Sequence, residues 1–394
     1  MFFAFGATFE LDSRILLRAK STEKAVDANH ADAKWLTRAA LLLVLASILT
    51  PGAALGADDA LPHRADRKTG APLPYEQMAG RVVEYASVVS ARGHRVRTIT
   101  TRPPAPGRLP VIVFIPWLSC DSAESPRGPT DGWSRMLHAV ASGVDAVFVR
   151  VDKPGVGDSE GDCSRTTLED DLAAYRAAIR AAIERTDVDP SRLTLFGGSI
   201  GGALAPLLAR EFKAHVIVSV AGFSRTWGEH ILAHERRRLT LSGSTPAQVN
   251  AALRGFVEFY ALYLDSGMTP AQVVAQHPEL KAIWYDAPEH QYGRHARYFQ
   301  EVQAQNVEAA WDAVRIPTLV LWGEYDWIMG RADQERIVEI VNANTPGLAQ
   351  LAIIPGMNHH FERFTTPLKA FREEGGTYAE DATALLVDWL RRNI

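Results

Sequence analysis

The sequence predicts an α/β fold: a mostly parallel central sheet flanked by helices and interrupted by a long helical insertion. Three observations predict it. The runs "LPVIVFIP", "DAVFVRVD", "RLTLFGG", "AHVIVSVAG" and "IPTLVLWG" are continuous, β-branched and aromatic, as in strands buried on both faces. Segments with apolar residues at helical spacing alternate with them, the pattern of a parallel sheet with helices on both sides. The rhythm then stops for roughly ninety mainly helical residues, 223–314, and an interruption of that length is a functional insertion rather than a passive loop.

The elements follow in order. "VVEYASVVS" and "RVRTITT" read as a hairpin across Ala91–His94. "TDGWSRMLHAVASG" reads as a helix with Thr130 or Asp131 as N-cap and Gly143 as its stop. Thr166 and Glu169 have the spacing of a capping box, and Leu168, Leu172, Tyr175, Ile179 and Ile183 then give one apolar helix face. "DPSRLTLFGGS" is turn and strand, and "IGGALAPLLAREF" is helix. Within the insertion "PAQVNAALRGFVEFYALYL" and "PAQVVAQHPELKAIW" are the clearest helices, and no strand is expected. "GRADQERIVEIVNAN" is helix, "AQLAIIPGMNHHF" strand then loop, and "TYAEDATALLVDWLRRNI" a closing amphipathic helix. The chain thus divides into an N-terminal extension (1–56), two parts of one core (57–222 and 315–394), and the insertion (223–314).

The 394 residues are 47% hydrophobic and 22% charged, an ordinary globular balance. Net charge is −4 with signs interspersed, which predicts no nucleic-acid partner. Lys34 and Arg38 precede an apolar run from Ala39 to Leu49; Pro51-Gly52 and the small residues Ala54 and Gly56 follow. This pattern predicts a secretory signal peptide cleaved before Ala57, hence a periplasmic or secreted protein. The alternative is an uncleaved membrane anchor over residues 39–57, the one route to a membrane partner. Export to an oxidising compartment would pair Cys120 with Cys163; two buried free thiols are the alternative.

The chemistry centres on Gly197-Gly198-Ser199-Ile200-Gly201, a G-x-S-x-G between a strand and a helix. Glycines two before and two after let strand and helix approach, so the serine sits on a sharp turn beside free helix N–H groups. A serine hydroxyl needs a base, and the base an orienting acid. Asp326 ends "LVLWGEYD", and the spacing from Gly323 favours it over Glu324. "IIPGMNHHF" then offers His359 and His360. A tetrahedral oxyanion needs two N–H donors. Ile200 would supply one, and Trp117 or Leu118, after "VIVFIP", the other. No cofactor is expected. His230 and His234, four apart on a helix, show no third ligand and read as a surface pair, so no metal is expected. Arg236–Arg238 read as a solvated run, and Gly198 as a space beside the serine.

From about Val82 to Ile394 the chain resembles the α/β-hydrolase superfamily, in its capped serine esterase and peptidase-like branch. The resemblance rests on "FIPWLSC" at the oxyanion loop, "VDKPGVGDSEG", "DPSRLTLFGGSIGG", "PTLVLWGEYD" and "PGMNHHF". Pro116-Trp117 stands where many members have His-Gly, and Gly198 where His is frequent. The resemblance implies a triad of Ser199, Asp326 and His359, with His360 as a flanking pocket residue and 223–314 as a cap. It implies cleavage of a small-molecule ester or peptide-like substrate. An aminopeptidase-like peptidase, an acyltransferase and a non-catalytic binding protein are the alternatives; three intact triad residues argue against the last.

Overall fold

The computed structural model describes residues 73–105, 107–286 and 290–394. The expected signal peptide or anchor, and its cleavage point before Ala57, lie outside the described residues. The core opens with β1 (Val82–Val89), β2 (Arg95–Arg102), β3 (Leu109–Ile115), α1 (Gly132–Gly143) and β4 (Val147–Val151). It continues through α2 (Leu168–Ile183), β5 (Val188–Gly198), α3 (Ile200–Ala209) and β6 (Val216–Val220). Next come α4 (Trp227–Leu241), α5 (Pro246–Tyr260), α6 (Pro270–Gln276), β7 (His290–Gln291), β8 (Arg294–His295), α7 (Ala296–Gln303) and α8 (Val307–Asp312). The core resumes with β9 (Thr318–Gly323), α9 (Arg331–Asn344), β10 (Ala349–Ile354), β11 (Glu362–Arg363), α10 (Pro367–Arg372), β12 (Thr377–Tyr378) and α11 (Glu380–Asn393).

Eight strands form one sheet in the order β1-β2-β4-β3-β5-β6-β9-β10. The β1–β2 and β2–β4 pairs are antiparallel and the rest parallel, so the expected fold class holds. Every residue of β4, β6 and β9 is buried, which is why these strands read as near-continuous apolar runs, with Arg150, Ser219 and Thr318 as the polar exceptions. The outermost β1 is only half-buried and its apolar run is interrupted by Glu84 and Ser87.

Two expectations are corrected. The cap of α2 is Thr167 with Asp170, not Thr166 with Glu169. The helix begins one residue later, and the Thr166 hydroxyl instead donates to the Cys163 carbonyl at 3.1 Å. The insertion is also not free of strands: β7 and β8 pair antiparallel, His290 opposite His295. Tyr292 and Gly293 both take positive φ (49° and 76°), the backbone of a two-residue hairpin turn. Asp131, one of two candidates, caps α1.

Cys120, past β3, is bonded to Cys163, past β4, across a separation of 43 residues. Closing a loop of that length in the unfolded chain is worth about 4 kcal/mol in the chain-entropy account. Thiol titration of unfolded, unreduced protein should therefore find no free thiol, and reduction should lower unfolding free energy by up to about 4 kcal/mol. Two titratable thiols in the native product, or unchanged stability on reduction, would contradict this pairing.

Candidate active site

Ser199 follows β5 directly and precedes α3, with φ 57° and ψ −125°. A side-chain-bearing residue holds such a conformation only where its neighbours impose it. Here its N–H donates to the Val220 carbonyl at 2.8 Å, and its carbonyl accepts from Gly202 at 2.9 Å. A Cβ on Gly197 would lie 2.1 Å from the Gly201 carbonyl oxygen, and one on Gly201 2.0 Å from the Ile115 carbonyl oxygen. Strand, helix and the loop after β3 therefore touch backbone to backbone at the serine. Ile200 opens α3, so its N–H is among the helix's first and has no intrahelical acceptor. Trp117 and Leu118 lie on the loop pressed against Gly201, with the Trp117 ring edge-on to Phe114.

The acid and the histidine arrive from the two neighbouring strands beyond β6. The end of β9 and the loop after β10 meet closely: a Cβ on Gly323 would lie 2.3 Å from the Met357 carbonyl oxygen. Asp326 Oδ1 accepts from the N–H groups of Ile328 (2.9 Å) and Met329 (2.8 Å). This fixes the carboxylate, whose Oδ2 lies 2.8 Å from His359 Nδ1. His359 Nε2 lies 3.1 Å from Ser199 Oγ. Asn358 Oδ1 accepts from the N–H groups of His360 and Glu362, which shapes the histidine loop. Ser199, His359 and Asp326 are thus brought together, all buried. Glu324 is not part of this series; its carboxylate accepts from Gly356 N–H at 2.9 Å. His360 turns outward to Glu373, 2.9 Å away, rather than flanking the serine. Burial disfavours its charged form, but the bond to Glu373 and that carboxylate's charge prevail and raise its pKa.

Three other expectations are corrected. Gly198 leaves no open space: a Cβ there would meet the Trp133 ring at 2.8 Å and the Phe114 ring at 3.1 Å. Trp133, which the sequence did not single out, fills that flank and packs edge-on to His359. His230 and His234 are not a surface pair but are buried, 2% and 5% exposed. His230 stacks on Phe223, three residues past β6, and His234 on Trp327, next to Asp326. The Nδ1 atoms of both find no protein partner. Nor is the arginine run solvated throughout. Arg237 donates to the carbonyls of Trp327 (2.8 Å) and Ile328 (2.7 Å), and Arg238 pairs with the fully buried Glu235 at 2.7 Å. Among the described residues, Glu258, His277 and Glu279 bring three potential ligand atoms within 4.8 Å of one another; His230 and His234 are not in that group.

Two solvent-facing clefts, of about 520 and 720 Å³, lie beside Arg102 and Asp187 and beside Arg108 and Asp145. These residues precede or end strands at the end of the sheet opposite the serine, whereas ligands of open parallel sheets bind at the carboxyl ends of strands.

A parallel sheet with a serine on its strand–helix elbow, and a histidine and an aspartate delivered by later strands, defines the α/β-hydrolase class. The chain belongs to the Alpha/beta hydrolase family, whose sequence profile matches residues 112–374. Among solved structures it is similar to Est1E from Butyrivibrio proteoclasticus with ferulic acid bound: 16% identity, TM-score 0.51, covering 78% of this chain and 97% of that one. It is also similar to carboxyl esterase 2 of the mycorrhizal fungus Tuber melanosporum, at 16% identity and TM-score 0.47, over 82% and 90% of the two chains. DcsB in complex with its substrate analogue gives 16% identity and TM-score 0.49 over 79% and 100%. Likeness at this identity is one of fold. No curated protein sequence matches the chain.

Burial holds His230 and His234 neutral, the latter down to about 3, with the charges of Arg237 and of other histidines acting in the same direction. Below about pH 6.5 the unfolded chain binds protons that these buried rings refuse. Stability is therefore complete above that pH and falls as pH drops, by about 1.4 kcal/mol per unit for each ring. Denaturant titrations between pH 7 and pH 5 should show this slope. His234→Phe should remove one ring's share; a slope untouched by the substitution would contradict the assignment.

Proposed function

We propose that the protein is an exported serine hydrolase that cleaves a carboxylic ester through an acyl-Ser199 intermediate. The observation that carries this reading is the unbroken series Asp326–His359–Ser199, at 2.8 and 3.1 Å, ending on a serine held at positive φ. His359 Nε2 accepts the Ser199 proton as Oγ attacks the ester carbonyl. Asp326, fixed by two backbone N–H groups, keeps the Nδ1–H of His359 in place and stabilises the imidazolium. The Ile200 N–H and one N–H of the 117–118 loop receive the oxyanion. His359 then returns the proton to the departing alkoxide, and water repeats the cycle on the acyl enzyme.

Ester over peptide is supported by the charges of the insertion. An aminopeptidase needs an unpaired acid to bind a substrate ammonium. Glu235, the fully buried acid of α4, is already engaged by Arg238 and by the Tyr285 hydroxyl at 2.5 Å. Neutral histidines and aromatic rings stand beside the Asp326 loop and the end of β6, and the guanidinium bonded to that loop, Arg237, is engaged by the Trp327 and Ile328 carbonyls. They suit an uncharged, partly aromatic substrate. Export rests on the basic, apolar and small-residue pattern before Ala57 and on the pairing of both cysteines.

A fluorophosphonate probe should label the folded protein and not Ser199→Ala. Among p-nitrophenyl esters and aminoacyl anilides, the esters should be the better substrates. Ser199→Ala and His359→Ala should each lower kcat by at least about 10⁴-fold, while His360→Ala stays within a few-fold. Equal labelling of the serine variant, or anilides preferred over esters, would overturn the reading.

A further inference from the structure

The mechanism above makes no use of Lys153, a residue past β4 that is 1% exposed. Its ammonium donates to the backbone carbonyls of Trp117 and, at 3.2 Å, of Leu118. Arg294 of β8, itself fully buried, adds a donor to the Leu118 carbonyl at 3.4 Å. It is held there by Asp171 of α2 at 3.0 Å and by the Thr166 hydroxyl at 3.2 Å. Burial pushes the Lys153 pKa down to about 7, with the Arg294 charge adding to this and Asp171, Asp121 and Asp152 opposing it. Charged or neutral, the amine keeps at least two N–H groups, enough for both carbonyls.

The carbonyl directions decide where the N–H groups of this loop point. In a planar trans peptide the C=O and the next residue's N–H face opposite ways. The Pro116 carbonyl oxygen faces the first turn of α3, 2.8 Å from where a Gly201 Cβ would sit. The Trp117 N–H, in the same peptide, therefore points away from the elbow. The Trp117 carbonyl faces Lys153, so the Leu118 N–H in that next peptide points away from Lys153.

Building on the ester-hydrolase reading, we propose that Lys153 is a positioning residue for the oxyanion site. By gripping the Trp117 carbonyl it aims the Leu118 N–H, not that of Trp117, at the substrate's carbonyl oxygen, and its bond to the Leu118 carbonyl holds the following peptide in place. Arg294 makes that aim dependent on the seating of the helical insertion. Lys153 never touches the reacting atoms; its effect is on a donor whose value appears only as negative charge develops.

The test uses Lys153→Met, Lys153→Arg and Arg294→Lys in the full chain, with steady-state kinetics on the best ester. Affinity for a trifluoromethyl ketone, which forms a tetrahedral oxyanion, is measured beside it. Lys153→Met should lower kcat by about 10²-fold with KM within about threefold, the signature of a lost transition-state donor. Ketone affinity should fall by the same factor as kcat/KM, and Lys153→Arg should recover part of both. If Lys153→Met does not fold, Arg294→Lys decides: it should lower kcat several-fold at constant KM. A folded Lys153→Met with unchanged kcat, or a change confined to KM, overturns the proposal alone. A wild type that turns over no ester overturns the functional reading and this proposal with it.

Discussion

The structure depends on one close approach, the meeting of β5, α3 and the loop after β3 around Ser199. Three backbones converge there, with glycine at 197 and 201 because a Cβ at either would strike a neighbouring carbonyl. The positive φ of Ser199 costs conformational energy, of order 1–3 kcal/mol, and persists because both its backbone groups are bound. The same contact lifts the hydroxyl off the sheet and sets it beside the unpaired N–H groups of α3. The proposed nucleophile and one proposed oxyanion donor thus come from a single constraint. The sheet order β5-β6-β9-β10 then lets the acid and the histidine reach the serine from the carboxyl ends of nearby strands.

The sheet was legible because its central strands are buried on both faces, which writes them as continuous β-branched runs. Ser199, Asp326 and His359 were legible for a related reason: each stands just past such a run, so a strand in the sequence locates a site in space. The choice of His359 over His360 drew on family spacing, and the structure separates the two by turning His360 to Glu373. The α2 cap was misplaced by one residue because Thr166-Thr167 and Glu169-Asp170 offer the same spacing twice. Helix periodicity put His230 and His234 on one face but could not say what that face meets. The emptiness expected at Gly198 failed for a similar reason. A missing side chain marks where something approaches, and here it is the Trp133 ring from a distant helix.

Lys153 belongs to what the sequence conceals. A lysine at the end of a buried strand is unusual, and that oddity was the available signal. Its partners, however, are backbone carbonyls, which leave no trace in residue identity. The same is true of the proposed oxyanion donors, since any residue at 117 or 118 carries the same N–H. Direction in that loop must be imposed from the carbonyl side.

Three ties meet on this short loop: the Cys120–Cys163 bond, the Lys153 amine and the Arg294 guanidinium. A buried ammonium is costly unless it is paired and hydrogen-bonded. Lys153 is tolerated through two carbonyls and the nearby charge of Asp171, Asp121 and Asp152. Those carbonyls satisfy it only while the loop stays in one conformation, and the loop stays there partly because the amine would otherwise be left buried and unpaired. Each therefore enforces the other, and Arg294 extends this mutual dependence to the helical insertion through its buried pair with Asp171. A backbone donor gains electrostatic value in catalysis only if it needs no reorganisation when charge appears. A loop that cannot move without stranding a buried amine and a buried guanidinium meets that requirement by its own energetics.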